Sequence, residues 1–257
     1  NERDLAGLPE AVISTAAETA EELGQKGKWA FTLHKPSMFP FLQYADKREL
    51  RKEIYTAYLN RGNNGDEKDN NELIKKIIKL RKEKANLLNY ENHAAYVLEK
   101  NMAEKPEKVY ELLDQVWDAA LPVAKKEAEM LQEMIKKEGK DFKLASWDWW
   151  YYAEKLRKEK FDLSEEELRP YFSLEKVKKG IFDLTDKLYG LQYKKLENMP
   201  VYHPDAEVYL VTEKDGKEIG ILYMDFYPRA SKRGGAWMTT FRKQSRRNGE
   251  NVMPVIQ

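Results

Sequence analysis

The sequence predicts a mainly α-helical protein with a small antiparallel β-sheet near its C-terminus. Two observations support this prediction. Apolar residues recur at helical spacing in one segment after another up to about residue 200. Two β-rich runs joined by a hairpin turn signal then follow Pro200. We therefore expect two domains, a helical lobe over residues 1–200 and a small sheet region over residues 201–257.

Proline and glycine bound the elements of the first half. An Ala- and Glu-rich run over residues 11–23 lies between Pro9 and Gly24, which suit the first turn and the C-terminal stop of a helix. The elements that follow are an extended segment or short strand at residues 28–33, a loop around Pro36 and Pro40, a helix over residues 46–61, an exposed loop over residues 62–71, and helices over residues 73–88 and 92–100.

The second half is predicted in the same way. Pro106 suits the first position of a long helix that Gly139 ends, and Pro122 inside that helix predicts a kink. The Trp and Tyr cluster at residues 147–152 indicates either a packed helix start or a ligand platform. The remaining predicted elements are a helix over residues 174–188, strands over residues 207–212 and 219–227 joined by a turn at residues 214–217, and a terminal strand over residues 252–256.

Composition excludes several kinds of site. The chain has 257 residues, and 45 Lys and Arg against 44 Asp and Glu give a formal net charge of +1. A dedicated nucleic-acid-binding domain is usually more basic, and no apolar run in the sequence approaches a bilayer span. The lack of cysteine excludes disulfides, thiolate metal sites and cysteine nucleophiles. His34, His93 and His203 stand at no metal-ligand spacing, so we interpret them as structural.

One basic segment and one pair of acidic residues leave alternatives open. Residues 229–247 contain seven Lys or Arg and no acidic residue, with Trp237 and Phe241 among them. Such a segment binds nucleic acid through phosphate contacts and stacking, forms a solvated loop, or meets a substrate carboxylate. We expect no nucleic-acid partner. Asp205 and Asp225 flank the hairpin and would do acid–base work only if the fold brings them together.

Two consecutive glycines, Gly234 and Gly235, precede Ala236 and Trp237. Glycine permits positive φ and a close approach of backbone. This segment therefore indicates either a strand edge on which a peptide lies through main-chain hydrogen bonds, or a plain bulge or turn. The sequence contains no phosphate-cradling glycine loop, no Gly-x-Ser-x-Gly and no His-Glu-x-x-His, so it carries no complete catalytic set.

Several ordered blocks resemble one family. They are residues 4–9, 102–106, 147–149, 152–155, 161–163, 168–172 and 200–205, and residues 222–229 running into 232–238. The ordered set is similar to the M3 family of zinc metallopeptidases, which includes thimet oligopeptidase and oligopeptidase A. The nearest likeness is to the bacterial peptidyl-dipeptidase Dcp, and it covers essentially the whole chain.

This resemblance implies the multi-helix lobe of a zincin-type peptidase, with helices that wall a channel for short peptides. The family's zinc site is a His-Glu-x-x-His helix with a downstream Glu ligand, and the resemblance implies that Gln257 precedes it. We therefore expect a middle fragment without catalytic residues or zinc ligands, inactive without the missing N- and C-terminal parts of the same protein. The full-length parent would be a zinc-dependent peptidase that releases dipeptides from peptide C-termini.

By the same resemblance, Gly234, Gly235, Ala236 and Trp237 are the candidate substrate-binding residues, and they would position a peptide backbone. The expected partners are short peptides, with no membrane partner. The expected compartment is the bacterial cytoplasm, and the periplasm stays open because the N-terminus is missing. The alternatives are a non-catalytic helical peptide-binding or scaffold protein and a nucleic-acid binder. We also expect the terminal strand at residues 252–256 to lack neighbours and apolar surface to be exposed.

Overall fold

The computed structural model describes residues 2–162, 165–229, 231–232 and 235–257. Their contacts divide the chain into two compact units, Asn1–Asp162 and Leu163–Gln257. The mainly α-helical fold class is confirmed, and so is the location of the small sheet near the C-terminus. The domain boundary near residue 200 stays a prediction.

Helices build the first unit. They are α1 (Glu10–Glu22), α2 (Lys35–Tyr44), α3 (Arg48–Leu59), α4 (Asn71–Leu87), α5 (His93–Leu98), α6 (Pro106–Lys137) and α7 (Trp149–Phe161). Pro106 opens α6 as predicted, and Gly139, with φ of 70°, follows its end. Residues 28–33 form the extended segment rather than the strand, and residues 62–70 form the predicted loop.

The prediction of a loop around Pro36 and Pro40 is wrong, because both prolines lie within α2. Pro36 lies in the first turn, where a backbone N–H would have no acceptor within the helix, so its absence removes no helical hydrogen bond. Pro40 lies inside the helix and removes one backbone hydrogen bond. Met38, Phe41 and Leu42 are buried along the same helix, and the burial of these large apolar side chains offsets that cost.

Two apolar clusters form the core of the first unit. The first contains Leu8, Met38, Phe41, Leu42, Ala45 and Ile54, and the second contains Leu131, Met134, Ile135, Tyr151 and Tyr152. Tyr151 is 5% exposed and Tyr152 is fully buried. For the two tyrosines of the aromatic cluster at residues 147–152, the interpretation as core packing therefore holds, because they fill the core between α6 and α7.

A charged cluster is also buried in this unit. The Asp148 carboxylate has no exposed surface and accepts hydrogen bonds from Arg48 Nη2 at 2.9 Å and Arg51 Nη2 at 3.0 Å. It also accepts the Ala145 N–H at 3.1 Å. The Arg51 side chain is 1% exposed and donates from Nη1 to the Ala45 carbonyl at 2.7 Å. These contacts tie the start of α3 to the turn before α7.

The second unit contains α8 (Glu165–Leu168), α9 (Leu174–Tyr189), β1 (Gln192–Lys195), β2 (Glu207–Thr212), β3 (Glu218–Met224), β4 (Thr240–Arg242) and β5 (Val255–Ile256). The strand order in the described sheet is β1-β2-β3-β5-β4. The predicted hairpin is β2–β3, and Gly216 takes a φ of 86° in its turn. A turn of this kind favours glycine because other residues are strained at positive φ.

The sheet is mixed rather than wholly antiparallel. β5 pairs in parallel with β3, with Ile221 opposite Val255, and antiparallel with β4. A parallel pair needs a long connection, and residues 225–254 between β3 and β5 provide one. β5 therefore lies between two strands, and the expectation that the terminal strand lacks neighbours is wrong.

An ion-pair network joins α9 to the sheet. The Lys178 side chain is 8% exposed, and its Nζ lies 2.8 Å from Glu207 Oε2. Lys195 Nζ contacts the other oxygen of Glu207 at 3.0 Å, and the Tyr209 hydroxyl donates to Glu207 at 3.0 Å. Burial opposes ionisation of Glu207, but these hydrogen bonds outweigh it and lower its pKa from 4.5 to about 2. The Phe182 ring stacks on Tyr193 at 4.1 Å beside this network.

Large apolar side chains are exposed along three helices. They include Leu73, Ile74, Ile77 and Ile78 of α4, Leu112, Leu113, Val116 and Trp117 of α6, and Ile181, Leu184 and Leu188 of α9. Contiguous apolar surface of this kind is typical of faces that pack against another surface. In the described part of the chain, no helix has the length and apolar character that a bilayer crossing requires.

Candidate functional site

The four candidate substrate-binding residues precede β4. Gly234 lies outside the described residues. Gly235 has a φ of 97° and forms a bend, and Ala236 and Trp237 follow it without regular secondary structure before the strand begins at Thr240. All three described residues are exposed, Trp237 to 57%. The segment thus forms a bend that precedes an edge strand, and its role in holding a peptide backbone stays a prediction.

β4 is an edge strand of the described sheet. Thr239 exchanges both main-chain hydrogen bonds with Gln257, at 2.8 and 2.9 Å. Main-chain groups alternate in direction along an antiparallel strand. The N–H and C=O groups of Met238 and Thr240 therefore point away from β5, toward the open side. An edge of this kind offers donors and acceptors to an added extended chain.

A cavity of about 700 Å³ lies beside this strand. Its lining residues come from four separate parts of the second unit: Tyr202 before β2, Asp225, Arg229 and Lys232 after β3, Trp237 and Phe241 in and before β4, and Gln257 after β5. Of the three candidate residues that the structure describes, Trp237 is the one that lines this cavity. We call it the Arg229 pocket.

Asp225 is the anchor of the Arg229 pocket. Its carboxylate has no exposed surface and accepts Arg229 Nη1 at 3.0 Å and Arg229 Nη2 at 2.7 Å, one on each oxygen. Lys232 Nζ lies 2.8 Å from Oδ1, and the Tyr202 hydroxyl donates to Oδ2 at 3.1 Å. The hydrogen bonds from Arg229 hold the pKa of Asp225 well below its usual range, against the opposing effect of burial, and Lys232 and Tyr202 add to the lowering.

Aromatic rings form one wall beside these charges. The Phe241 ring lies 5.5 Å from Tyr223 and 6.2 Å from Tyr202, in edge-to-face geometry in both cases. Gln257 Nε2 donates to the Tyr202 hydroxyl at 2.5 Å, so the end of the chain is tied to the wall. The pocket thus combines a cation held by a buried carboxylate with exposed aromatic surface.

The titratable residues that the sequence analysis considered, His203, Asp205 and Asp225, are not joined in one cluster by the contacts of the described residues. His203 Nδ1 lies 3.4 Å from Asp205 Oδ2. Asp225 is held by Arg229 instead, and no described contact joins Asp205 to Asp225. His93 has a buried Nδ1 without a hydrogen-bond partner in the described structure.

A zinc site does not fit the residues that the structure describes. Within them, no three His, Asp or Glu side chains lie close enough together to hold a metal ion. The expectation that zinc belongs to other parts of the protein stays a prediction.

The basic segment divides into two parts. Arg229 and Lys232 are engaged with Asp225, and Arg233 lies outside the described residues. The remaining four cations, Arg242, Lys243, Arg246 and Arg247, are exposed. Nucleic-acid binding by this segment stays untested.

Sequence reasoning missed most of the Arg229 pocket. Tyr202 and Gln257 were not candidates for a peptide site, and Asp225 was considered only for acid–base work. Lys232 and Phe241 were considered only as part of the basic segment at residues 229–247, for which a substrate carboxylate was one of three open alternatives. One local signal was available, since Asp225 and Arg229 are four residues apart and form an ion pair. Lys232 also contacts Asp225 from the same connection after β3. The contacts with Tyr202, Phe241 and Gln257 join residues that are distant in sequence.

Comparison with known proteins gives a consistent result. The model of the family described as Peptidase family M3 matches residues 41–256. The chain is 39% identical over 256 residues to an organellar oligopeptidase A, chloroplastic/mitochondrial, of Arabidopsis thaliana, and the match covers 96% of the chain and 32% of that protein.

Two proteins of Escherichia coli strain K12 are also similar to the chain, each at 36% identity. The chain is 36% identical over 253 residues to its dipeptidyl carboxypeptidase, covering 98% of the chain and 37% of that protein. It is 36% identical over 260 residues to its oligopeptidase A, covering 99% and 38%. The chain thus spans between 32% and 38% of the length of these three relatives.

Proposed function

The chain belongs to peptidase family M3, and from that membership we propose that it is part of a zinc-dependent oligopeptidase or peptidyl-dipeptidase that hydrolyses short peptides. The observation that carries the proposal is the family match over residues 41–256. The relative named dipeptidyl carboxypeptidase supports the peptidyl-dipeptidase alternative, and the relative named oligopeptidase A supports the oligopeptidase alternative. The proposal assigns the catalytic zinc site to regions of the protein other than these 257 residues, because the described residues do not fit one.

The proposed contribution of this chain is to shape and line the peptide channel. The open side of β4 would add a peptide as a further strand, through the main-chain groups of Met238 and Thr240. Gly235 and Ala236 carry little or no side chain and leave room for that backbone. Gly234 is proposed as a substrate-binding residue from the sequence alone. Trp237 would face the bound peptide from the pocket.

Enzymatic assays test the peptidase proposal directly. Zinc content and hydrolysis of a blocked tetrapeptide should be measured for this chain and for the longest polypeptide that its gene encodes. We expect stoichiometric zinc and cleavage in a longer polypeptide and neither in the 257-residue chain. A longer polypeptide that folds, binds peptides and cleaves none would favour the non-catalytic peptide-binding scaffold.

Cell fractionation of the source organism tests the proposed cytoplasmic location against the periplasm.

A pair of proline variants tests the role of the β4 edge. Thr240→Pro removes an N–H that points to the open side, whereas Thr239→Pro removes the N–H that donates to Gln257. We expect Thr240→Pro to keep the fold and to weaken peptide binding by about tenfold, the effect of one lost hydrogen bond. Thr239→Pro should instead destabilise the sheet. Peptide affinity from isothermal titration calorimetry and thermal stability are the readouts, and unchanged affinity in Thr240→Pro would refute the edge proposal.

A further inference from the structure

The two cations of the Arg229 pocket differ in their free hydrogen-bonding capacity. The Lys232 ammonium has three N–H donors. They face three acceptors, which are Asp225 Oδ1 at 2.8 Å, the Asp225 carbonyl at 2.9 Å and the Tyr227 carbonyl at 2.7 Å. Lys232 is therefore fully engaged within the fold, and its role is to brace the backbone after β3.

The Arg229 guanidinium has more N–H donors than its described neighbours accept. A guanidinium carries five N–H donors, and Asp225 accepts two of them. The Tyr202 hydroxyl is its other close hydrogen-bonding neighbour. Among the described residues, at least two N–H donors of Arg229 are thus left without an acceptor. The side chain is 21% exposed and lines the cavity, so these donors are accessible to a ligand.

The local charge also favours an anion. Lys232 offsets the charge of Asp225, and the positive charge of Arg229 is then left over within the pocket. Asp205 is the other carboxylate near Arg229. It does not line the cavity, is 46% exposed and contacts His203, so solvent screens its effect.

The aromatic surface restricts the kind of anion. Trp237 is 57% exposed and Phe241 is 55% exposed, and both line the same cavity as Arg229. A ligand that satisfies both features carries a planar anionic group next to an apolar or aromatic one. A carboxylate matches the fork of a guanidinium, and a ring or aliphatic chain would cover the exposed aromatic faces.

We propose that Arg229 is a specificity-determining residue that binds the terminal carboxylate of a peptide, and that Trp237 and Phe241 receive its last, apolar side chain. This inference rests on the proposed function and deepens it. The peptide that lies along β4 ends in this pocket, and a peptide whose carboxylate is blocked loses the contact with Arg229.

Calorimetric titration of the full 257-residue chain tests the inference. The probes are one N-acetylated tripeptide that ends in Phe, as the free acid and as the C-terminal amide. We expect the acid to bind about tenfold tighter or more, as for a hydrogen-bonded charged pair. Arg229→Gln should remove this preference, and Arg229→Lys should keep a part of it. Lys243→Gln removes an exposed cation that does not line the pocket and should leave the preference unchanged.

A second variant keeps the test informative if Arg229→Gln fails to fold. Trp237→Ala changes an exposed side chain outside the Asp225 clamp. It should reduce the advantage of a peptide that ends in Phe over one that ends in Ala. Equal affinities for that Phe-ended peptide and its Ala-ended counterpart in the unmodified chain would overturn the apolar part of the inference.

The remaining outcomes separate the inference from the proposed function. Equal binding of acid and amide, or a preference that survives Arg229→Gln, overturns the inference and leaves peptide binding at the β4 edge in place. Displacement of the acid by an equal concentration of acetate would show a general anion site and also overturn it. Failure of the folded chain to bind either peptide overturns the inference and the edge proposal together.

Discussion

Replacing Asp148 with Asn should lower the free energy of unfolding of the first unit by about 3–5 kcal/mol, the usual cost of breaking a buried ion pair. The carboxylate is fully buried and receives donors from Arg48, Arg51 and the Ala145 backbone. An Asn side chain has a similar shape but no charge, and its NH₂ group has nothing to donate to among these donors. The substitution therefore leaves two guanidinium groups uncompensated, one of them on a side chain that is 1% exposed.

Urea denaturation followed by tryptophan fluorescence measures this loss, since Trp147 and Trp149 flank the substituted residue. Glu72→Gln is the matched control. It also neutralises a paired carboxylate, but Glu72 is 84% exposed in its contact with Lys75. Glu72→Gln should lower the free energy of unfolding by less than about 1 kcal/mol, because exposed ion pairs contribute little to stability. A loss for Asp148→Asn as small as that of the control would refute the assignment of the buried cluster as a major source of stability.

Two further predictions concern the second unit and the first turn of the chain. The pKa of Glu207 is lowered from 4.5 to about 2 in the fold, so its ion pair with Lys178 stabilises the fold above pH 4.5, and this contribution is lost as pH falls toward 2. Glu207→Gln should therefore flatten the acid limb of a stability-against-pH curve, and an unchanged limb would contradict the assignment. Gly7→Ala should destabilise the chain more than Gly24→Ala. Both glycines have positive φ, so the backbone strain of an alanine is shared. A Cβ on Gly7 would also lie 2.3 Å from the Tyr44 carbonyl oxygen, whereas a Cβ on Gly24 meets nothing within 4 Å. Thermal melts of the two variants compare them, and equal losses would contradict the clash.

Periodic apolar patterns and breaker residues predicted most of the helices. The long helix α6 carries its start and stop signals in the sequence, at Pro106 and Gly139. Helix α2 was missed because the burial of its apolar face overrides two prolines. Strands β1 and β4 were missed as well. Both are short edge strands with mostly exposed side chains, so neither shows the alternation that identifies a half-buried strand.

The candidate site was predictable only in part. Gly235, Ala236 and Trp237 were predicted as substrate-binding residues from the glycine pair and the family resemblance. The structure places them before an edge strand, and their role stays a prediction. The Arg229 pocket was not predicted as a whole. Its residues meet because a parallel pair, β3 with β5, brings the end of the chain beside Tyr202. A parallel register of this kind leaves no local pattern in the sequence.

The insertion of β5 between β3 and β4 sets an order of assembly for this unit. β4 has β5 as its neighbour in the described sheet, and it is synthesised before β5. Until Val255 and Ile256 dock on β3, β4 has no strand with which to pair, whereas the β2–β3 hairpin closes locally and early. The edge formed by β4 should therefore be the last part of the sheet to fold and the first to open. Amide hydrogens of β4 and β5 are expected to exchange together, and faster than those of the hairpin.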